Sequence, residues 1–573
     1  MNICPHQGKN LMAIVKLGGG NFAKLDALPG FHKWKERNML FRPTGANIQY
    51  ILNNWPEAEW IGGTLSHKES YERSLGVAEE IIQMKEGKAV VPDTSDYTYK
   101  RPPMDHQRTA FALSRNKETF GLFMEQGTGK TKVTLDTACY LFLEKKIDML
   151  IIVAWPNGVH RNWLENELPV DMSVPYVAEY WSKNWKAKYR QKEFDHLLGE
   201  EIPRDTMRVL SFNVEAFVSD GAKDLITKAL KKFRCLFVID QSASIKNHSA
   251  KRTKFLLSQA HLAPYRRILD GQPVAEGGHE LFAQFKFLDE NIIGHDTWTA
   301  FKAEFCIEGY FNQIAGYKNI DELHSRIDGH CYRVRADDCL DLPPRVYKKW
   351  SFDLGDVERR VFDEMKHNSL TYFLEDGQEE GEVLEEELAM VKNLRLQQIS
   401  SGWWPKSSPA KSLEKTGPSR AKALKALLAD VEGKAIIYSR FRPDLELIQE
   451  MLGDEAVAYH GGISEEDREE AKRQFMDMDS KVKYFIGQPR TAGVGHTLTA
   501  ASHVIFYTND PSLRFREECE KRAHRHGLKH RLFVWDLIAT GTQDLKTVVA
   551  LRSKKRLANT ILKDLDGFFL EYE

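Results

Sequence analysis

The sequence predicts an α/β protein with two tandem domains, each built on a parallel sheet covered by helices, and a small N-terminal α+β module. Two series of short apolar segments carry this prediction. The first series lies within residues 104–330 and comprises TFGLFME, DMLIIVAW, MRVLSFN, CLFVID and YRRILD. The second lies within residues 433–540 and comprises KAIIYSR, AVAYH, KYFIGQ, HVIFYT and RLFVWDLI. Longer amphipathic stretches separate the segments, and this alternation of strand and helix is typical of parallel sheets.

We expect four parts along the 573 residues, a length that accommodates roughly three to four domains. They are an N-terminal α+β module at 1–100, a first α/β domain at 101–335, a helical insertion with the inter-domain linker at 336–430, and a second α/β domain at 431–573. The linker is expected near SGWWPKSSPAKSLEKTGPS (400–419), whose proline, serine and glycine content is typical of an exposed connector. An acidic run at 375–387 holds eight acids and no base, which predicts a solvated helical face or a loop.

The charge balance excludes a protein drawn to nucleic acid by its overall field, because 81 basic residues are matched by 82 acidic ones. Any nucleic-acid partner must therefore bind local patches. The seven cysteines are scattered without a C-x-x-C pair, which predicts reduced thiols in a cytosol. The N-terminus lacks a signal-peptide pattern, and no apolar run reaches the roughly 18 residues of a membrane helix. We therefore expect a cytoplasmic protein with no membrane partner.

A phosphate-binding loop is predicted at EQGTGKT (125–131), because this segment follows the apolar TFGLFM and opens a helix-like stretch. Its candidate nucleotide-binding residues are Gly127, Thr128, Gly129, Lys130 and Thr131. In such a loop the glycines let backbone N–H groups approach phosphate oxygens, the lysine reaches the β- and γ-phosphates, and the threonine binds Mg²⁺. The strict pattern fails at Met124, where glycine is usual, so the alternative is a glycine turn with a surface lysine.

Further along the chain, the apolar segment CLFVID ends in Asp240, whose carboxylate could hold Mg²⁺ together with Thr131. ATP and Mg²⁺ are therefore the predicted cofactors. Asp240 is followed by QSASIKN, and at this point the chain resembles the helicase-like ATPases of superfamily 2, in particular the Swi/Snf-type DNA translocases of bacterial or phage type. That family carries Asp-Glu-Ser-His or a close variant here, followed by Ile-Lys-Asn.

The resemblance extends in order over most of residues 104–545. In the first half the matching segments are MDHQ (104–107), VAWPNGVHRNWLENELP (153–169) with Pro156, Trp163 and Glu167, YRRILDGQPVAEG (265–277) and LRLQQISSG (394–402). In the second half they are AIIYSRF (435–441), YHGGISEEDREEAKRQF (459–475), GQPRTAGVGHTLTAASHVIF (487–506) and EKRAHRHG (520–527). Residues 13–62 more loosely resemble the HARP substrate-recognition module of annealing helicases, and an unrelated small cap is the alternative.

The resemblance implies two RecA-like domains that close on ATP and bind DNA opposite the nucleotide cleft. It assigns Gln107 to the adenine base, and Arg522 and Arg525 to the γ-phosphate as arginine fingers from the second domain. The residues in motifs that face DNA in the family are Lys246, Asn247, Ser439, Arg440, His460 and Thr491. Such contacts go mostly to phosphates, so the expected partner is DNA, duplex or branched, bound without sequence preference.

Gln241 stands where the family has a glutamate that orients and polarises the attacking water. An amide cannot accept the proton, and loss of a general base typically costs about 10²–10⁴ in rate. The expected protein therefore holds ATP and hydrolyses it slowly. Four further departures from the family pattern are Ala243, Asp270, Gln272 and Glu518. The acids at 270 and 518 either lie near the triphosphate and repel it, or point away and pair with basic neighbours.

The predicted function is an ATP-dependent translocase on double-stranded DNA, active in remodelling or annealing, with hydrolysis impaired by Gln241. The alternative is a non-hydrolysing, nucleotide-gated DNA-binding or adaptor protein on the same scaffold. An RNA helicase is disfavoured, because the segments 459–475 and 491–501 resemble the DNA-translocase branch. The basic and aromatic residues of WSKNWKAKYRQK (181–192) would suit phosphate contact with base stacking, and a solvated face is the alternative.

Overall fold

The computed structural model describes residues 2–6, 11–16, 24–25, 27–29, 32–35, 38–155, 159–182, 184–309, 313–367, 385–403, 418–492 and 497–562. The chain forms two compact units, the first comprising Met1–Cys339 with Thr560–Asp564 and the second Leu340–Asn559 with Leu565–Glu573. Each unit contains a parallel sheet with helices, and the first also holds the N-terminal module. The predicted fold class, two tandem RecA-like domains with a small α+β module, is confirmed, whereas the four-part division of the chain stays a prediction.

The N-terminal module is a sheet with two helices. Its strands are β1 Asn2–His6, β2 Leu11–Lys16, β3 His32–Lys35, β4 Asn38–Phe41 and β5 Glu59–Trp60, and its helices are α1 Gly45–Asn54 and α2 Gly63–Lys85. The strand order is β3-β4-β2-β1-β5. Helix α1 begins after Thr44, whose hydroxyl accepts a hydrogen bond from the Asn47 N–H (3.3 Å) and caps the helix. Buried Ile3, Phe41 and Ile48 give the module its own apolar core.

The first α/β sheet is entirely parallel over the residues that the structure describes. Its strands are β6 Thr119–Met124, β7 Met149–Ala154, β8 Tyr176–Tyr180, β9 Met207–Asn213, β10 Cys235–Asp240, β11 Tyr265–Leu269 and β14 Cys331–Val334, and a separate antiparallel hairpin pairs β12 Cys306–Glu308 with β13 Ile314–Tyr317. The sheet order is β14-β6-β11-β10-β7-β9-β8. The five predicted strands are confirmed as the inner ones, and they are almost wholly buried, as strands covered on both faces must be.

Helices and short turns connect these strands. The helices are α3 Asp105–Ser114, α4 Lys130–Leu143, α5 Val159–Asn162, α6 Leu168–Asp171, α7 Lys188–Leu198, α8 Asp220–Lys232, α9 Lys251–Ala260, α10 Leu281–Leu288, α11 Glu290–Ile293, α12 Trp298–Phe305, α13 Ile320–Asp328 and α14 Ala336–Cys339. A π-helical turn at Trp163–Glu167 joins α5 to α6, and 3₁₀ turns lie at Val214–Val218, Ser242–Ile245 and Gly278–Glu280. Helix α4 is buried over most of its length, so its first residues are held firmly at one edge of the sheet.

The second unit is built on another sheet whose described strands are all parallel. They are β15 Arg345–Phe352, β16 Lys434–Tyr438, β17 Ala456–Tyr459, β18 Tyr484–Gly487, β19 Ala501–Phe506 and β20 Leu532–Ala539, in the order β15-β20-β19-β16-β18-β17. The helices are α15 Asp356–His367, α16 Glu385–Ser400, α17 Ser419–Ala429, α18 Arg442–Leu452, α19 Glu465–Met476, α20 Pro489–Ala492, α21 Leu513–Ala523 and α22 Asp544–Leu562, with a 3₁₀ turn at Gly453–Glu455. The five strands predicted between 433 and 540 are confirmed.

Strand β15 was not predicted, and it lies within residues 336–430, where a helical insertion and the inter-domain linker were expected. It pairs with β20 in parallel over its full length, from Arg345 opposite Leu532 to Phe352 opposite Ala539. Its residues are only partly buried and include Lys348 and Lys349, so the segment lacks the continuous apolar run of an inner strand. The sheet of the second unit therefore begins well before the expected linker.

A buried charge network joins α21 to the sheet of the second unit. The Arg516 guanidinium pairs with Asp536 on β20 and, through Nε, with Glu520 Oε1 at 2.7 Å. It also donates to Asn509 Oδ1 (2.6 Å) and lies 3.6 Å from the centroid of the Phe506 ring. Arg516 and Asp536 are 3% and 1% exposed, so the ion pair is shielded from water. Neighbouring carboxylates overcome burial and raise the pKa of Arg516, which keeps it charged.

Some predicted features fall outside the described residues. They include Pro156, most of the acidic run at 375–387 and most of the connector at 400–419. All seven cysteines are described, and each is a free thiol. Among the residues with described structure, every helix is too short or too polar to span a bilayer.

Candidate functional site

The candidate nucleotide-binding residues lie together at one edge of the first sheet. Strands β6, β11 and β10 are parallel neighbours, so their carboxyl ends stand side by side. The loop at 125–131 follows β6, Asp240 ends β10, and Asp270 follows β11. Open parallel sheets bind ligands at this edge, in the crevice outside the carboxyl ends of the strands. The structure thus brings the predicted phosphate loop and Asp240 into one place.

The loop has the backbone of a phosphate cradle. Gly127 and Gly129 have φ of +83° and +93°, which side-chain-bearing residues rarely adopt. The Thr128 hydroxyl donates to the Glu125 carbonyl oxygen (2.7 Å) and braces the turn from within. Lys130 begins helix α4 and folds back on the loop, where its ammonium donates to the carbonyl oxygens of Met124 (2.7 Å) and Glu125 (3.1 Å). Thr131 follows in the first turn of α4, so the loop and the helix start together suit a triphosphate.

Gln107 lies against this loop. Its side-chain oxygen accepts from the Met104 N–H (3.1 Å), and its amide nitrogen donates to the Thr128 carbonyl oxygen (3.1 Å). The amide is buried, and a Cβ built on Gly129 would lie 2.3 Å from its nitrogen. Glycine at 129 is therefore required both by the backbone conformation and by the closeness of Gln107. The part played by Gln107 toward adenine stays a prediction.

Gly129→Ala is expected to weaken ATP binding at least roughly 10-fold, because the new methyl group meets Gln107 and the backbone at φ +93° becomes strained. Titration with a fluorescent ATP analogue measures the affinity. Gly76→Ala is the matched control, since a Cβ at Gly76 meets nothing within 4 Å. Equal affinities for the two variants would contradict the tight packing of the loop against Gln107.

Asp240 is buried beside the loop. Its Oδ2 accepts a hydrogen bond from the Trp163 indole N–H at 2.9 Å. Burial raises the pKa of Asp240, and the Asp270 carboxylate adds to the rise, whereas the Trp163 hydrogen bond and the Lys130 ammonium oppose it. Trp163, which matches the family's Pro…Trp…Glu segment, thus lies against the candidate nucleotide site. The π-helical turn at Trp163–Glu167 turns the indole toward Asp240.

A bound magnesium ion would need few protein ligands besides the Asp240 carboxylate. Among the described residues, no group of three or more His, Cys, Asp or Glu side chains could hold a metal ion. Mg²⁺ is commonly held by one or two protein oxygens together with substrate phosphates and water. Asp240 and the Thr131 hydroxyl fit that pattern at the loop. These two oxygen donors therefore suit Mg²⁺ bound together with ATP.

The chain turns sharply after Asp240. Gln241 has φ 56° and ψ 65° and is one of three non-glycine residues with positive φ among those described. The next two residues are both hydrogen-bonded to side chains in the segment that follows β11. The Ser242 hydroxyl donates to Gln284 Oε1 on α10 (2.5 Å), and the Ala243 N–H donates to Asp270 Oδ2 (2.9 Å). The position that carries the family's glutamate thus sits on a strained but well-held turn.

The unusual acids Asp270 and Glu518 were expected either to lie near the triphosphate or to pair with basic neighbours, and their surroundings differ. Asp270 is 2% exposed, and its oxygens accept from the backbone N–H groups of Ala243 and Gln272 (2.8 Å). It follows Leu269, which lies opposite Asp240 in the sheet, and its carboxylate contributes to the raised pKa of Asp240. Glu518 instead forms an ion pair with Arg514 at 3.0 Å, one turn earlier on α21. Its charge is therefore matched within its own helix.

Arg522 and Arg525 lie at the end of α21. Arg522 is buried in its last turn, and its carbonyl oxygen accepts from the Leu498 N–H (2.9 Å). Burial lowers the pKa of Arg522, and the Glu518 carboxylate opposes that shift. Arg525 lies two residues beyond the helix and is partly exposed. Both belong to the second unit, and their assignment to the γ-phosphate stays a prediction.

Lys246 and Asn247 follow the turn at Ser242–Ile245. The Lys246 ammonium pairs with Glu280, a buried carboxylate that also accepts from the Ala275 N–H (2.6 Å). Lys246 remains 41% exposed, so one face of its ammonium can still meet a phosphate. Asn247 is exposed and uses its Oδ1 to accept from the Ser249 N–H (3.0 Å). Both side chains are available at the surface of the first unit.

The other nucleic-acid candidates share one edge of the second sheet. Strands β16, β18 and β17 are parallel neighbours, and the candidates follow their carboxyl ends: Ser439 and Arg440 after β16, Thr491 after β18, and His460 after β17. Arg440 donates to Gln397 Oε1 (2.6 Å) and is partly buried. Burial lowers the pKa of His460, whose Nδ1 accepts from the Gly462 N–H (3.1 Å). The structure therefore brings these four residues to the same side of the sheet.

Asp444 organises this edge and was not predicted from the sequence. Its carboxylate is fully buried and accepts hydrogen bonds from Ser439, from the Trp403 indole N–H (2.5 Å) and from the Ser401 hydroxyl (3.2 Å). Burial raises the pKa of Asp444 to about 6, and these hydrogen bonds and the Arg420 charge oppose the rise. An acid in the first turn of the helix after Ser439 was the available signal.

Lowering the pH from about 7.5 to about 5 is expected to raise the unfolding free energy of the unchanged chain by about 1 kcal/mol relative to that of Asp444→Asn. The folded-state pKa lies above the ordinary 3.8, so the folded protein takes up a proton that the unfolded chain does not. Its contribution to the unfolding free energy is therefore gained as the pH falls and lost as the pH rises through about 6. Urea unfolding of both proteins at the two pH values measures the change, and groups common to both cancel. A constant difference would contradict the shifted pKa.

The basic and aromatic cluster at 181–192 does not present its tryptophans for stacking. Trp181 is buried and stacks on Trp185, with ring centroids 5.0 Å apart. A Cβ on Gly221 would lie 2.3 Å from the Trp185 ring, so this ring is also packed against the protein. Tyr189 remains 57% exposed among lysines. Trp181 therefore belongs to the local core and Trp185 is partly buried beside it, and the surface they leave is mainly basic.

Comparisons with known proteins cover both units. The family described as SNF2-related domain matches residues 106–401, and that described as helicase conserved C-terminal domain matches residues 419–527. The DNA annealing helicase and endonuclease ZRANB3 of Mus musculus is 24% identical over 476 residues, which is 80% of this chain and 40% of that protein. The ATP-dependent helicase brm of Drosophila melanogaster is 23% identical over 476 residues, 77% of this chain and 28% of that protein.

A solved structure titled Sulfolobus solfataricus SWI2/SNF2 ATPase core in complex with dsDNA is 19% identical, with a TM-score of 0.37, and the match covers 82% of this chain and 97% of that one. The chain spans well under half the length of the two curated relatives above. The expected bacterial or phage origin and the HARP-like module stay predictions.

Proposed function

The chain belongs to the SNF2-related family of helicase-like ATPases, and on that premise we propose that it is an ATP-driven translocase on double-stranded DNA whose own hydrolysis step is slow. The observation that carries the proposal is the grouping of the phosphate loop, Asp240 and the turn at Gln241 at one edge of the first sheet. The loop would hold the triphosphate, and Thr131 and Asp240 would hold Mg²⁺, which neutralises charge on the phosphates when bound. DNA remodelling or annealing in the cytoplasm is the proposed setting.

Slow hydrolysis follows from the side chain at 241. The glutamine can hydrogen-bond a water molecule, but its amide cannot take the proton that water must lose when it attacks phosphorus. Binding relies on other groups, namely the loop backbone, Lys130 and Asp240. ATP is therefore expected to be held firmly and cleaved slowly. Arg522 and Arg525 are proposed to assist at the γ-phosphate from the second unit.

DNA is the proposed partner on two grounds. The curated relatives include a protein named a DNA annealing helicase, and the candidate residues after β16, β17 and β18 include a cation and hydrogen-bonding side chains at one edge. Lys246 is half-exposed on the first unit beside its carboxylate partner. Phosphate contacts of this kind position a protein without reading sequence. We therefore propose sequence-independent binding to duplex or branched DNA.

Nucleotide-dependent DNA binding tests this function in the unchanged chain. A labelled duplex is titrated without nucleotide, with ATP and with ADP, at several salt concentrations. ATP should tighten binding, and affinity should fall roughly 10³-fold between about 50 and 200 mM salt if six phosphates are contacted. Lys130→Ala is the control and should remove the effect of ATP while leaving the salt dependence. A flat salt response would contradict phosphate-dominated binding.

The second candidate is a nucleotide-gated DNA-binding or adaptor protein that never completes hydrolysis. Gln241 favours it, because the same substitution that slows a motor would suit a clamp that stays closed on ATP. ATP turnover during DNA release separates the two: a motor releases phosphate with each cycle, whereas a clamp releases DNA only as ATP dissociates. Duplex RNA, tested in the same titration, should bind without stimulating turnover.

A further inference from the structure

The turn after Asp240 is strained, and something must hold it. Gln241 adopts the left-handed conformation, with φ 56° and ψ 65°, although it has a full side chain. Residues in such sparsely populated conformations persist only where the surrounding structure fixes them. Because residue 241 is the one that would face the attacking water, the groups that fix the turn decide where its side chain points. These groups are found on the neighbouring strand and helix.

Asp270 supplies one of these restraints. It follows β11 directly, and β11 pairs with β10 so that Leu269 lies opposite Asp240. Asp270 is continuous with the sheet, since its N–H donates to the Leu122 carbonyl oxygen (3.2 Å). From this fixed position its Oδ2 accepts from the Ala243 N–H (2.9 Å), two residues beyond Gln241. The carboxylate therefore bridges the end of one strand and the turn at the end of the next.

The second oxygen of Asp270 fixes the carboxylate itself. Oδ1 accepts from the Gln272 N–H (2.8 Å), so the side chain is held from two directions in a site that is 2% exposed. Another anchor of the turn is the Ser242 hydroxyl, which donates to Gln284. Gln284 in turn donates to the carbonyl oxygens of Pro273 and Glu280, both at 2.8 Å. Two adjacent residues of the turn are thus tied to the segment that begins at Asp270.

We propose that Asp270 is a positioning residue, which holds the left-handed turn through the Ala243 N–H and so sets the orientation of the side chain at 241. The proposal rests on the proposed function for the meaning of that orientation, but the bond itself can be tested without it. It also accounts for an acid placed beside Asp240, where a like charge is otherwise unfavourable. At this position the carboxylate accepts two backbone N–H groups at once.

Hydrogen exchange of the Ala243 amide tests the bond directly. Asp270→Ala should accelerate exchange of that amide at least 10-fold, as measured by mass spectrometry with fragmentation to single residues. Asp270→Asn keeps one acceptor oxygen and should give an intermediate rate. Asp289→Ala is the matched control: Asp289 accepts from the Asn291 N–H (2.9 Å) in the same unit, so its loss should accelerate exchange at Asn291 and not at Ala243. Unchanged exchange at Ala243 in Asp270→Ala would overturn the proposal.

Kinetics in the Gln241→Glu background test the consequence. Adding Asp270→Ala should lower kcat for ATP hydrolysis about 10- to 100-fold and change KM by less than about 3-fold, because a misdirected side chain affects the reaction more than binding. Adding Asp289→Ala should leave both constants unchanged. If Ala243 exchange rises but kcat does not fall, the role is structural and the positioning proposal is wrong. If Gln241→Glu itself shows no turnover, the proposed hydrolysis fails, while faster exchange at Ala243 still supports the hold on the turn.

Discussion

Gln241→Glu is expected to raise kcat for DNA-stimulated ATP hydrolysis by about 10²–10⁴-fold, with little change in ATP affinity. A carboxylate can accept the proton of the attacking water, which an amide cannot do. Glutamate and glutamine have nearly the same size, so the backbone at φ 56° and the bonds of Ser242 and Ala243 should persist. Steady-state phosphate release with saturating duplex DNA measures kcat, and titration with a fluorescent ATP analogue measures affinity.

Gln83→Glu is the matched control for this substitution. Gln83 is an exposed glutamine on helix α2 of the same unit. A glutamate there adds the same charge outside the candidate site, so kcat should stay at the level of the unchanged chain. Equal rates for the chain and Gln241→Glu would show that residue 241 does not limit hydrolysis. If neither turns over, Asp270, Gln272 or Glu518 becomes the cause to examine.

The second large effect concerns stability. Arg516→Leu is expected to lower the unfolding free energy by about 3–5 kcal/mol, because it leaves the buried carboxylates of Asp536 and Glu520 without their shared cation. It also removes the guanidinium that lies 3.6 Å from the Phe506 ring centroid. The melting temperature should fall by roughly 10 °C. Urea and thermal unfolding followed by circular dichroism measure both quantities.

Arg473→Leu provides the comparison, because Arg473 forms an ion pair of similar length with Glu470 on the same unit. The two nitrogen–oxygen distances are 2.5 Å for Arg516 with Asp536 and 2.7 Å for Arg473 with Glu470. The Arg473 side chain is 73% exposed, so water replaces its partner when the pair is removed. No measurable change in stability is expected. A comparable loss in both variants would indicate that burial does not set the strength of the Arg516 network.

The inner strands of the two α/β sheets were predicted from the sequence, whereas β17 was the one edge strand of those described that was predicted. The segments that became β6, β7, β10 and β16 are continuous apolar runs, because both faces of those strands are covered. Strands β8, β14 and β15 lie at sheet edges with half-buried residues, and their sequences carry no such run. The continuous apolar run that marks an inner strand is thus absent from these three edge strands.

In the candidate site, the residues themselves were predictable from the local sequence, whereas their partners were not. The loop residues and Asp240 were predictable, because each is set by its place at the end of a strand or the start of a helix. The partners of those residues come from elsewhere in the chain: Trp163 reaches Asp240, Asp270 reaches Ala243, and Gln397 reaches Arg440. No periodicity or spacing marks such pairs. Similarly, the Trp185 ring packs against Gly221, which lies outside the cluster in sequence.

The pairing of β15 with β20 has a consequence for the synthesis of the chain. Strand β15 leaves the ribosome about 190 residues before its partner, so at roughly 5–20 residues per second it waits about 10–40 s unpaired. The strands of the first unit are complete by Val334 and can assemble during this interval. Lys348 and Lys349 place positive charge on the waiting strand, which disfavours pairing with a neighbouring nascent chain. The same two lysines that make the sequence of β15 unlike that of an inner strand thus disfavour intermolecular pairing until β20 has been synthesised.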